Sequence, residues 1–145
     1  MQPTRTLRAL LVLCAVIAIG IGASILFIPT QFHAAHGIEL GGDANLLSEV
    51  RAPGGALLVL GALMMVGVFV RSFTLASTTI AAAVYLAYGA SRMVSIWLDG
   101  LPVPGLVGAS VIELVMGSVC AFVLVRGTRR ASFAHPRTTP AGEVA

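Results

Sequence analysis

Four long runs nearly free of charge dominate this sequence: Leu7 to Ile28, about Val50 to Val70, about Phe73 to Leu98 and about Gly105 to Val125. Each is about 20 to 26 residues long, enough to cross a hydrocarbon core of about 30 Å at about 1.5 Å per residue. Lipid cannot hydrogen-bond an exposed backbone, so each run must be helical. The expected fold is all-α, an integral membrane four-helix bundle forming a single domain over residues 1–130. The stretch 131–145 is rich in Pro, Thr and Ala and reads as a disordered cytoplasmic tail.

Composition supports a lipid exterior. Only 10% of residues are charged and 57% are apolar, whereas a soluble domain carries about 25% charged residues. The net charge of +3 comes from nine basic residues, all arginine. Most of them sit at or near the ends of the apolar runs, so membrane topology explains them and nucleic-acid binding is not expected. The first run, preceded by Arg5 and Arg8, is longer than the 7 to 15 apolar residues of a signal peptide and no clean cleavage site follows. It is therefore read as a retained helix.

Orientation follows from the same arginines. Arg5 and Arg8 precede helix one, Arg71 lies between helices two and three, and Arg126, Arg129, Arg130 and Arg137 follow helix four. The opposite loops carry Glu39, Asp43, Glu49 and Asp99. The positive-inside rule then puts both termini in the cytoplasm. Trp97, near an outer helix end, reads as an interfacial anchor.

The helices need surfaces on which to meet. Thr79, Ala83, Ala87, Ser91 and Ser95 recur every four residues in helix three. Such a ridge of small side chains lets a neighbour approach closely. It is read as packing within the monomer, with a homo-oligomer face as the alternative. Gly54, Gly55, Gly61 and Gly67 in helix two, and Gly20, Gly22 and Ser24 in helix one, serve the same purpose.

Charges inside the membrane carry the functional signal. Arg92 lies seven residues before Asp99, about 10 Å below the outer surface at about 1.5 Å per residue. Glu113 lies at similar depth in helix four, and Glu49 and Arg51 stand at the outer mouth of helix two. A charged side chain in the bilayer interior costs at least about 2.5 kcal/mol. Opposite charges at matching depth are best explained as partners, so Arg92 is expected to pair with Glu113. Tyr85, Tyr88, Arg92, Ser95 and Asp99 share one helical face, as do Ser110, Glu113, Gly117 and Cys120; Arg51 stacks with Gly54, Gly55 and Leu58.

Three readings of this cluster stand. It is a structural pair fixing helix register, or an outward-opening pocket for a small anionic or polar ligand, or a proton path through Glu113. In the pocket reading Arg51 and Arg92 supply positive charge, and Glu49, Asp99 and Glu113 orient them. Tyr88, Ser95, His36 and Glu39 are secondary candidates. His33, His36 and Glu39 can share one helical face, which is possible metal geometry. No further ligand is fixed, so they read as interfacial polar residues and neither a metal nor a cofactor is expected. Cys14 and Cys120 fall inside apolar runs near the inner third and read as small apolar residues.

A resemblance adds to this reading. The segments His36-Gly37-Ile38-Glu39-Leu40, Glu49-Val50-Arg51-Ala52-Pro53-Gly54-Gly55, Gly89-Ala90-Ser91-Arg92-Met93-Val94-Ser95, Leu98-Asp99-Gly100-Leu101-Pro102 and Glu113-Leu114 resemble a bacterial membrane family described as domain of unknown function 4345. Its members are small four-helix proteins. An aromatic residue usually stands there where this chain has Pro53. The architecture is also similar to the broader DoxX-like proteins. The resemblance implies a bacterial inner-membrane location but no activity. The leading expectation is a multi-pass, non-enzymatic membrane protein with an Arg/Glu pocket in its outer half. The alternatives are a redox or quinone-linked subunit, which needs a reactive Cys14 or Cys120, and a small proton-coupled transporter.

Overall fold

A computed structural model describes residues 5–133. The described chain is helical throughout: α1 Arg5–Phe27, α2 Pro29–Ala34, α3 Ala44–Phe69, α4 Thr74–Asp99 and α5 Pro104–Phe133, with a single 3₁₀ turn at Arg71–Phe73. α1, α3, α4 and α5 are each long and apolar enough to cross a membrane. Large apolar side chains such as Leu13, Val16, Val59, Phe69, Ile112 and Val115 stand exposed along them. This exterior fits a multi-pass membrane protein.

Local signals explain the boundaries. Pro29 opens α2 at its first position, where a missing N–H costs nothing. Gly37 and Gly41 then turn the chain with φ of 75° and 63°, a region nearly free of strain only for glycine. Asp43 caps α3 by accepting the Leu46 N–H at 2.8 Å. That cap starts α3 at Ala44, ahead of the expected Val50, and the helix runs through Pro53 without breaking. At the other end of the chain α5 continues past Arg126 to Phe133. Residues 131–133, expected in a disordered tail, are therefore helical; the rest of that expected tail, 134–145, lies outside the described residues.

Glycines set the packing. A Cβ placed on Gly22 of α1 lies 2.5 Å from the Leu58 backbone nitrogen of α3, and one on Gly61 lies 2.8 Å from the Ile19 nitrogen. Gly54 meets Ile25 just as tightly. As numbers rise along α1 they fall along α3, so these helices are antiparallel and nearly touch backbone to backbone. α4 and α5 interlock reciprocally, Gly89 against Leu114 and Gly117 against Leu86. The bundle is thus two tight pairs, α1 with α3 and α4 with α5, joined chiefly where α3 meets α4.

Hydroxyls tie the pairs together. Ser77 donates to the Leu63 carbonyl at 2.7 Å and Thr74 to the Gly67 carbonyl at 3.0 Å, both from α4 to α3. Tyr85 donates from α4 to the Cys14 carbonyl of α1 at 2.8 Å. In an apolar surrounding such bonds replace a hydrophobic driving force between helices.

One packing expectation is corrected. Thr79, Ala83, Ala87, Ser91 and Ser95 are all exposed. The face of α4 that is buried carries Thr74, Ser77, Thr78, Ala81, Ala82, Tyr85 and Gly89. Both faces hold small residues, and the cross-helix hydroxyl bonds select the second.

The main core lies toward the end of the bundle that holds the start of α1 and the end of α5. It contains Leu7, Leu11, Cys14, Met64, Ala81, Met116 and Cys120. Toward the opposite end, which carries α2, a cavity lies between the helices.

Candidate functional site

The cavity has a volume of about 370 Å³ and lies between α1, α4 and α5, under α2. Ile17, Ala18, Ile21 and Ile25 of α1 form one wall; Leu106, Ala109 and Ile112 of α5 form another. Leu57 of α3 and Val84 of α4 complete the aliphatic part. The polar groups are Tyr85, Tyr88 and Arg92 from α4, Glu113 from α5, and His33 and His36 from α2 and the turn after it.

Arg92 and Glu113 meet as the sequence suggests. The Arg92 Nε donates to Glu113 Oε2 at 2.9 Å, with the two side chains 33% and 13% exposed. A charge-assisted bond of this kind lowers the cost of holding two charges between apolar helices. Only Nε is used. The two terminal amino groups of Arg92 have no hydrogen-bond partner among the described residues, and neither does Glu113 Oε1. A guanidinium free at its end presents a planar fork that matches a carboxylate or phosphate.

The histidines have defined tautomers. His33 Nδ1 lies 2.8 Å from the Pro29 carbonyl, and His36 Nδ1 lies 2.9 Å from the Phe32 carbonyl. A carbonyl only accepts, so each Nδ1 carries the proton. Each Nε2 is then an acceptor while the ring is neutral. The Phe32 ring packs beside both imidazoles, with centroids 5.5 Å and 5.3 Å away. The cavity therefore offers donors from Arg92 and acceptors from Glu113, His33 and His36 among mostly aliphatic walls.

Other expected residues lie elsewhere. Glu49 and Arg51 are exposed on α3 and do not line the cavity; α3 contributes Leu57 instead. Asp99 accepts from Ser95 Oγ at 3.1 Å, one turn apart on the exposed end of α4. Only Glu113 among the expected acids meets Arg92, so the charged part of the site comes from α4 and α5, without Glu49 or Arg51 of α3. Glu39 is exposed, while His36 is half-buried on the cavity wall. No group of three or more metal-ligating side chains occurs among the described residues, and His33, His36 and Glu39 do not converge into one.

Phe32, His33, Tyr85 and the aliphatic walls were not among the expected site residues. The His33/His36 spacing and the inward face shared by Tyr85, Tyr88 and Arg92 were the available signals. The walls had none, because an isoleucine facing a cavity and one facing lipid look alike in sequence. Below the cavity, Cys14 Sγ and Cys120 Sγ lie 3.8 Å apart, both fully buried.

No curated protein and no solved structure matches this chain. A family model does match, over residues 6–124, a stretch that includes all five long and short helices up to the end of the apolar part of α5. The segments around Arg92 and Glu113 fall within that match, and the chain belongs to the family described as Domain of unknown function (DUF4345).

Proposed function

We propose that this is a multi-pass protein of a bacterial inner membrane, with both termini cytoplasmic, that binds a small molecule bearing an acidic or polar head group in the cavity. The orientation rests on arginine placement: Arg5, Arg8, Arg71 and Arg126 gather at the end of the bundle opposite α2. The cavity then faces the outer side. One observation carries the binding reading. The Arg92–Glu113 pair uses a single nitrogen of the guanidinium and leaves a fork of donors on the wall of a cavity otherwise mostly aliphatic. A pair serving helix register alone needs no cavity beside it.

A thermal-stability screen of the purified protein against small carboxylates and phosphates tests this. A ligand at about 100 times its Kd stabilises by about 2.7 kcal/mol. Wild type should be stabilised by at least one compound and Arg92→Gln by none. If nothing stabilises wild type, or both respond alike, the reading fails.

The 3.8 Å contact of Cys14 and Cys120 supports a second reading, as a redox subunit. Two thiols in contact can pass two electrons and two protons to a two-electron acceptor and close a disulfide. This reading requires oxidised protein to show a Cys14–Cys120 cross-link that reductant removes.

A further inference from the structure

We infer that the ligand is a single-chain amphiphile with an acidic head group, and that it enters sideways from the bilayer through the gap between α1 and α5. The inference rests on the binding reading above and specifies its ligand.

The four long helices form a ring in the order α1, α3, α4, α5. Three of its sides are closed by close packing, two of them by glycine seams; the side from α5 back to α1 is sparsely packed. One contact on that side is the cysteine pair, which lies beneath the cavity. Above it, Ile21 of α1, 36% exposed, and Ile112 of α5, 55% exposed, both line the cavity on the two helices that flank this side. Both residues line the cavity and remain exposed. The exterior here is the apolar flank of two helices long enough to cross a membrane. The gap therefore opens toward acyl chains.

The lining matches such a molecule. Arg92 and Tyr88 of α4 supply donors beside Glu113, and Ile17, Ile21, Ile25 and Leu57 supply apolar wall. The free guanidinium fork suits a carboxylate or phosphate. A volume of about 370 Å³ is near the lower end of small-molecule sites, which run about 300–1,000 Å³. It holds a head group and the first part of a chain, and the remainder leaves between Ile21 and Ile112 into lipid. A fully water-soluble anion has no use for the aliphatic walls and no route through a lipid-facing gap.

The full-length protein in phosphatidylcholine nanodiscs tests this with two probes, dodecanoate and butanoate. These share a head group and differ in chain. Dodecanoate should bind at least about tenfold more tightly, because each methylene moved out of water strengthens binding about fourfold. Arg92→Gln should weaken dodecanoate binding at least tenfold. A dodecanoate carrying a diazirine in its chain should cross-link to α1 and α5 near Ile21 and Ile112. The cross-linking needs no variant and decides the route. Butanoate binding as tightly as dodecanoate, with no cross-links at the gap, overturns the amphiphile inference and leaves the binding reading standing. Binding of neither probe overturns the amphiphile inference, and the screen of small carboxylates and phosphates then decides the binding reading separately.

Discussion

Gly20 and Gly22 lie two residues apart on α1, and changing each to alanine should move stability in opposite directions. At Gly22 a new Cβ meets backbone on three sides: Leu58 nitrogen at 2.5 Å, the Gly54 carbonyl oxygen at 2.8 Å and Leu58 Cα at 2.9 Å. Ordinary contact begins at 3.4 Å, so α1 and α3 must part by about 0.9 Å at that point. Backbone cannot rotate out of the way as a side chain can. Parting also loosens the contacts of Gly54 with Ile25 and of Gly61 with Ile19, which lie on the same seam. Overpacking of this kind costs about 1–3 kcal/mol, offset in part by a gain in helix propensity of about 1 kcal/mol. Gly22→Ala should therefore destabilise, by up to about 2 kcal/mol. At Gly20 nothing lies within 4 Å of the new Cβ, so only the propensity gain of up to about 1 kcal/mol remains. Reversible unfolding in mixed micelles, titrated with dodecyl sulfate, measures both. If Gly22→Ala is as stable as Gly20→Ala, the close approach of α1 and α3 is wrong.

Further predictions address the remaining seams and the site. Ala81 is fully buried and Ala83 is exposed, so Ala81→Leu should cost about 1–3 kcal/mol and Ala83→Leu less than about 0.5 kcal/mol in the same unfolding assay. Arg92→Ala and Glu113→Ala should each destabilise, and the double variant should lose about 1–2 kcal/mol less than their sum; additive losses contradict an energetic pair. Cys14 and Cys120 should resist a membrane-permeant maleimide in the native protein and react in dodecyl sulfate, as mass spectrometry of the labelled chain will register.

The sequence and the structure agree most closely where energy leaves few options. A lone Arg92 or Glu113 among apolar helices is costly, so opposite charges at matched depth find each other. The four apolar runs likewise have no alternative to helix. The face by which α4 packs was far less legible. In a chain whose exterior is as apolar as its interior, hydrophobic periodicity loses its contrast. The stripe from Thr79 to Ser95 and the one from Thr74 to Gly89 look alike until the bonds of Ser77 and Thr74 to α3 distinguish them. The same loss of contrast hid the cavity walls. α2 and the early start of α3 are readable from Pro29 at a helix start and Asp43 before Ala44-Asn45-Leu46, but neither lies in an apolar run. Glu49 and Arg51 sit on an exposed part of α3 and do not line the cavity.

Native mass spectrometry of the protein released from its own membrane tests the central claim most directly. Wild type should carry a small molecule as a discrete added mass, lost at raised collision energy, and Arg92→Gln purified identically should carry none. Bare wild-type protein, or the same added mass on Arg92→Gln, would contradict a ligand site built on Arg92 and Glu113.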